Sequence, residues 1–215
     1  MRRIQLFLAV ALFASSLFAQ ADPLWKTLED ANKRFQGTSV TFGDLQALRT
    51  RLAPPDPGQK PPYAILSCSD SRVPPELVFA LKDGLGELFV VRAAGNVADA
   101  YAIASLEYAV SKGWTKMIVV LGHEGCGAVE RALDPKPAES PSILALITRI
   151  RESFDLRVWR DPANVRLATE ANARHSADCL LATSDILRDA VLKRGVKLVV
   201  AYYTLKDGVV VRIDG

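Results

Sequence analysis

Four short runs of almost unbroken apolar residues dominate the chain: 64–67 (AILS), 88–93 (LFVVRA), 117–122 (MIVVLG) and 197–203 (KLVVAYY). Each is strand-sized, and helix-length stretches separate them. Strands that are apolar on both faces belong to a parallel sheet covered by helices on each side. A fifth run, 209–213, follows the turn Lys206-Asp207-Gly208 and pairs with the fourth as a hairpin, so the last strand is antiparallel. Helices are predicted over 98–112, closed by Gly113, over 142–154, and over 184–194, stopped by Gly195. The segment ADCLLA around Cys179 also reads as helix, with Cys179 a buried thiol. These elements make a single α/β domain with a central, mainly parallel sheet of order 2-1-3-4-5 flanked by helices. A chain of 215 residues suits one such domain and is too short for two.

The N-terminal third is organised differently. Arg2-Arg3 precede a mainly apolar stretch, 4–18, and then Ala19-Gln20-Ala21. This is the pattern of a secretory signal peptide over 1–21, and its apolar part falls short of the roughly 20 residues that span a bilayer. The expected product is exported, periplasmic or secreted, free of the membrane after signal removal, and begins near Asp22. Residues 23–37 read as an amphipathic helix through Trp25, Leu28, Ala31 and Phe35. Leu45 and Leu48 share one side of a second segment, and APPDPGQKPP (53–62) is a linker. Residues 22–62 are therefore an N-terminal helical arm and proline-rich linker ahead of an α/β domain over 63–215. A net charge of +3, with Lys and Arg scattered, argues against a nucleic-acid partner.

Two of the apolar runs end in chemistry. The first is followed by Cys68-Ser69-Asp70-Ser71-Arg72-Val73, the third by Gly122-His123-Glu124-Gly125-Cys126-Gly127. In an open parallel sheet, ligands collect at the carboxyl ends of strands where the order reverses. Order 2-1-3-4 makes these two strands neighbours, which brings Cys68 to His123 and Cys126. Two sulfurs and one imidazole suit zinc. Glycines flanking His123 and Cys126 let the turn aim both at one point, and a helix starting near Ala128 favours a thiolate at Cys126. Three protein ligands leave a fourth position open. Asp70 stands within reach of that position, and Arg72 is placed to grip its carboxylate by both oxygens and hold it off the metal. The chain has three cysteines, so a disulfide framework cannot account for them all. His175, the other histidine, lies in the polar stretch EANARHSAD and reads as a surface residue.

Both motifs resemble the signatures of the β-class carbonic anhydrases, here as an exported bacterial-type member. LFVVRAAGNV (88–97), SLEYAV (105–110) and AYYTLKDGVV (201–210) are similar to the same family, so the resemblance runs from about Tyr63 to Ile213. It implies one Zn²⁺ per chain on Cys68, His123 and Cys126, with Asp70 a fourth ligand only in a closed state, and an Asp70–Arg72 catalytic dyad. It implies reversible hydration of CO₂ to bicarbonate, and a homodimer or higher homo-oligomer with N-terminal helices reaching over the partner. Val73, Val91, Ala93, Ala94, Gly95 and Gly127 are the expected lining of the substrate pocket. One departure stands out: many members carry a glutamine just before the Gly-x-Gly that precedes the second strand. This chain has Ala80-Leu81-Lys82-Asp83 there and no glutamine after Gln59. Hydrolysis of carbonyl sulfide or carbon disulfide at the same zinc, and a non-catalytic zinc protein closed by Asp70, are the alternatives. A thiol phosphatase is disfavoured, because Cys126 to Arg131 is one residue short of Cys-x5-Arg.

Overall fold

The computed structural model describes residues 22–37, 44–53, 58–82, 84–155 and 164–214; the signal-like stretch 1–21 and residues 54–57 of the proline-rich stretch lie outside them. Strands β1 (Tyr63–Ser67), β2 (Leu88–Arg92), β3 (Met117–His123), β4 (Lys197–Tyr203) and β5 (Val210–Arg212) form one sheet of order β2-β1-β3-β4-β5. The first four are mutually parallel and β5 runs antiparallel to β4. The helices are α1 (Pro23–Gln36), α2 (Leu45–Leu52), α3 (Pro75–Val78), α4 (Ala100–Ser111), α5 (Gly127–Leu133), α6 (Pro141–Arg151), α7 (Val165–Thr183) and α8 (Asp185–Lys193).

Alternate residues of each strand serve opposite layers. Tyr63, Ile65, Val119, Leu121, Val199 and Ala201 face a layer built with Trp25, Leu28 and Ala31 of α1. Ala64, Leu66, Ile118, Val120 and Val200 face a layer built with Leu106 of α4, Leu180 of α7 and Leu187 of α8. The arm is thus fastened to its own chain: buried Asn32 of α1 donates to the carbonyls of Val78 and Gly208 and accepts from Val210 N–H. Side-chain caps set the starts of α1 (Asp22), α2 (Asp44), α4 (Asp99), α6 (Ser140) and α8 (Ser184).

Two expectations need correction. β3 runs one residue further than the apolar run, so His123 is the last residue of a strand rather than part of the turn. And ADCLLA is only the end of a 19-residue helix, α7, that takes in the whole of the polar stretch EANARHSAD. The buried stripe of α7 is Ala168, Thr169, Asn172, Ala173, Ser176, Ala177 and Leu180. Small and polar residues carry it, so apolar periodicity does not reveal it.

Candidate active site

The parallel register places the chemistry. Ser67 is opposite both Arg92 of β2 and Leu121 of β3, so Cys68 leaves the sheet between those two strand ends. The ligand atoms of Cys68, His123 and Cys126 lie within 4.8 Å of one another, and all three residues are buried. Cys68 Sγ and Cys126 Sγ are 4.0 Å apart. Around a tetrahedral ion with metal–sulfur bonds of about 2.3 Å, two sulfurs lie about 3.8 Å apart.

The imidazole is prepared in the same sense. His123 Nδ1 is 2.9 Å from the Glu124 carbonyl, which has no proton to offer, so Nδ1 carries the hydrogen and Nε2 the lone pair. Nε2 is buried, with no hydrogen-bond partner among the described residues. An orphaned buried acceptor beside two sulfurs fits a metal ion, because a bound cation would satisfy all three at once. Gly125, with φ +58°, makes the turn that returns Cys126 to face His123, a backbone shape that favours glycine. Cys126 then stands at the N-cap position of α5, its side chain left free of any capping bond to that helix.

Cys68 Sγ accepts from the backbone N–H of Gly95 at 3.2 Å and of Asp70 at 3.4 Å. In the metal-free pair, the Cys126 thiol and these backbone donors push Cys68 down. Pairing with that sulfur, together with burial, pushes Cys126 up.

Asp70 is gripped on both oxygens. Arg72 Nε and backbone N donate to Oδ1 at 2.9 Å each, and Nη2 donates to Oδ2 at 2.7 Å. Nη2 also donates to the Gly125 carbonyl at 3.0 Å, which ties the clamp to the turn between His123 and Cys126. The Arg72 guanidinium holds the Asp70 carboxyl down to about 2. Sequence reasoning missed Arg92, whose guanidinium donates to the carbonyls of Cys68 (3.0 Å) and Asp70 (2.6 Å) and so braces the loop carrying both. It also missed Asn172 of α7, which donates to the Gly95 carbonyl at 2.6 Å.

The expected pocket lining is only partly gathered. Ala93 packs with Cys68 and Cys126, Gly95 touches Cys68, and Gly127 follows Cys126 at the surface. Ala94 is half-buried in the 3₁₀ turn Ala94–Asn96. Val73 belongs to the α1 layer and Val91 packs against the opposite one, so the sheet separates these two and they do not share a wall.

A family model described as carbonic anhydrase matches residues 63–210. Carbonic anhydrase 2 of Mycobacterium tuberculosis is 33% identical over 188 residues, which is 86% of this chain and 88% of that protein. Among solved structures, the β-carbonic anhydrase CcaA superposes with a TM-score of 0.67 at 25% identity, over 79% of this chain and 86% of that one. The Coccomyxa β-carbonic anhydrase, solved with acetazolamide, gives 0.64 at 30% identity over 73% of each chain. With a carbonic anhydrase family model matched over residues 63–210 and these relatives alike in sequence and in fold, the chain belongs to the β-class carbonic anhydrases and is an enzyme of that family.

Proposed function

We propose that the protein catalyses the zinc-dependent, reversible hydration of carbon dioxide to bicarbonate and a proton. The observation that carries this reading is the Arg72 clamp on Asp70 beside three convergent ligands. Two sulfurs and an imidazole select zinc among common divalent ions, and three protein ligands leave a position for the reacting molecule. Zinc there supplies the Lewis acidity that makes water a nucleophile near neutral pH. Asp70 stays ionised throughout the working range and accepts a hydrogen bond from the attacking water, fixing which lone pair faces the carbon. Arg72 occupies the carboxylate on its other side and keeps it from becoming a ligand. Ala93, Ala94, Gly95 and Gly127 offer an uncharged surface to an uncharged gas. The test is stopped-flow CO₂ hydration with metal analysis on the same sample. About one zinc per chain with hydration is expected; zinc without hydration at any pH would leave a non-catalytic zinc protein.

Residues 1–21 act as a cleaved signal for export to the periplasm or beyond. Asp22, the first residue left by cleavage after Ala21, caps α1 with its own side chain, Oδ1 accepting from Leu24 N–H at 3.0 Å, so removal of the signal would keep this cap intact. No helix among the described residues is long and apolar enough to cross a membrane. N-terminal sequencing of the secreted fraction checks the cleavage. The arm and linker, 22–62, precede the catalytic unit, 63–215. The molecule assembles as a homodimer or higher homo-oligomer, a reading supported by edge strand β2, whose residues are incompletely buried along its whole length.

A further inference from the structure

Glu124 stands between two metal ligands in sequence, yet only its carbonyl has entered the site so far. Its side chain is committed elsewhere. Oε2 accepts from the backbone N–H of Leu205 at 2.8 Å and of Lys206 at 3.2 Å, both in the turn 204–209 that joins β4 to β5. A carboxylate on backbone donors makes charge-assisted bonds, stronger than neutral ones. The Glu124 N–H is used as well, donating to the Tyr203 carbonyl at 2.8 Å. With its N–H and side chain both fixed on the β4 side, the residue keeps little freedom, and its carbonyl meets His123 Nδ1 at 2.9 Å. That contact sets the tautomer and the ring direction, and so where the buried Nε2 points.

The turn is itself anchored. Thr204 N–H donates to the Val209 carbonyl at 2.9 Å, and Gly208 N–H to the Thr204 carbonyl at 3.0 Å. From α1, buried Asn32 donates to the Gly208 carbonyl and accepts from Val210 N–H, each at 2.9 Å. Gly208 has φ +69°, and a Cβ there would meet the Phe35 ring of α1 at 3.2 Å. A series of hydrogen bonds, joined by the peptide chain of the turn, therefore runs from the N-terminal arm through Glu124 to the imidazole. We propose, on the zinc reading above, that Glu124 is a positioning residue for His123 and that Asn32 secures the turn to which Glu124 is tied. Neither touches a reacting atom; the arm helps to aim a metal ligand through the turn and one carboxylate.

The test uses the full zinc-loaded chain with isotopically labelled histidine, its ring nitrogens followed by NMR. His123 and His175 are the two histidines of the sequence, so His175, on α7, reports general loosening. Glu124→Ala should displace the His123 resonances, leave those of His175 in place, and weaken zinc on the order of tenfold. Glu124→Gln keeps an acceptor oxygen and should restore most of the loss. Glu124→Asp, one methylene short of the turn, should show the same direction of change, which keeps the test open where Glu124→Ala does not fold. Asn32→Ala should move His123 in the same sense and add little to Glu124→Ala, because both act through one turn. Equal displacement at His175 would overturn the inference and leave the zinc reading intact. So would parental His123 resonances and zinc affinity in every folded variant among Glu124→Ala and Glu124→Asp. A parent protein that takes up no zinc would overturn both.

Discussion

Arg72 touches Asp70 and the Gly125 carbonyl but no metal ligand side chain, so its loss separates metal binding from turnover. Arg72→Ala should keep its zinc and its fold and lose hydration by on the order of a hundredfold. The freed carboxylate becomes a fourth ligand, visible as added oxygen in zinc-edge X-ray absorption. Activity should recover in part in alkali, where hydroxide competes better for the position. An unchanged rate with no added oxygen would remove Arg72 from the mechanism. Asp70 makes a prediction of the opposite kind. Its carboxyl is held down to about 2 and is already ionised at neutral pH, so it does not shape the pH profile of the parent enzyme. Asp70→Asn should lower the rate at every pH from about 6 to 9 without moving the midpoint of its rise. The same depression fixes a sign for stability. The ion pair contributes fully above the ordinary aspartate range near 4 and is lost as pH falls toward about 2. Legibility at this scale follows density of function. Cys68, Asp70, Arg72, His123 and Cys126 were readable because reactive residue types crowd the ends of two apolar runs. Arg92 was not, because an arginine ending a strand reads as solvated until the register sets Ser67 beside it.

At the scale of elements, the site depends on how α6 and α7 press the 3₁₀ turn against Cys68. Gly95 has φ +64°, and a Cβ there would meet Ile150 Cδ1 of α6 at 2.8 Å. Gly95→Ala should cost about 1–2 kcal/mol from the left-handed backbone alone, read by chemical denaturation. It should also loosen zinc, because the Gly95 N–H that donates to Cys68 Sγ moves with the turn. A variant with parent stability and zinc affinity would show that the turn accommodates a side chain freely. The strands, α1, α4, α6 and α8 were legible to within a residue or three at most ends, since each buries ordinary apolar groups at regular spacing. The long helix α7 escaped because its inward residues include Thr169, Asn172 and Ser176. Those residues sit where helix, turn and sheet approach closely, and Asn172 is needed there to satisfy the Gly95 carbonyl.

For the whole molecule, sheet order does most of the assembling: β1 and β3 are neighbours although β2 intervenes in sequence, and this alone joins the two motifs. The apolar runs made that order readable, whereas the packing of Val73 and Val91 in opposite layers was not, since side-chain direction decides it. Edge strand β2 and exposed Tyr101 and Tyr108 nearby on α4 leave a surface for a second copy. Light scattering should give at least twice the chain mass, and Val90→Lys on that edge should shift it toward monomer; a monomeric parent would refute the assembly. The two sulfurs 4.0 Å apart set a condition on maturation as well. A disulfide needs them at about 2.0 Å, a short approach for side chains in contact. If the metal-free chain meets oxidised glutathione first, a disulfide forms between these two sulfurs. The glutathione disulfide takes the two electrons and splits into two glutathione molecules, and the chain's thiol count falls from three to one, leaving Cys179. Thiol counting after exposure to oxidised glutathione should show this loss for metal-free protein and none for the zinc-loaded form. Three thiols surviving in both would exclude it. The arrival of a metal ion is thus a race against the redox environment, and the order of two encounters decides whether a given molecule can ever be active.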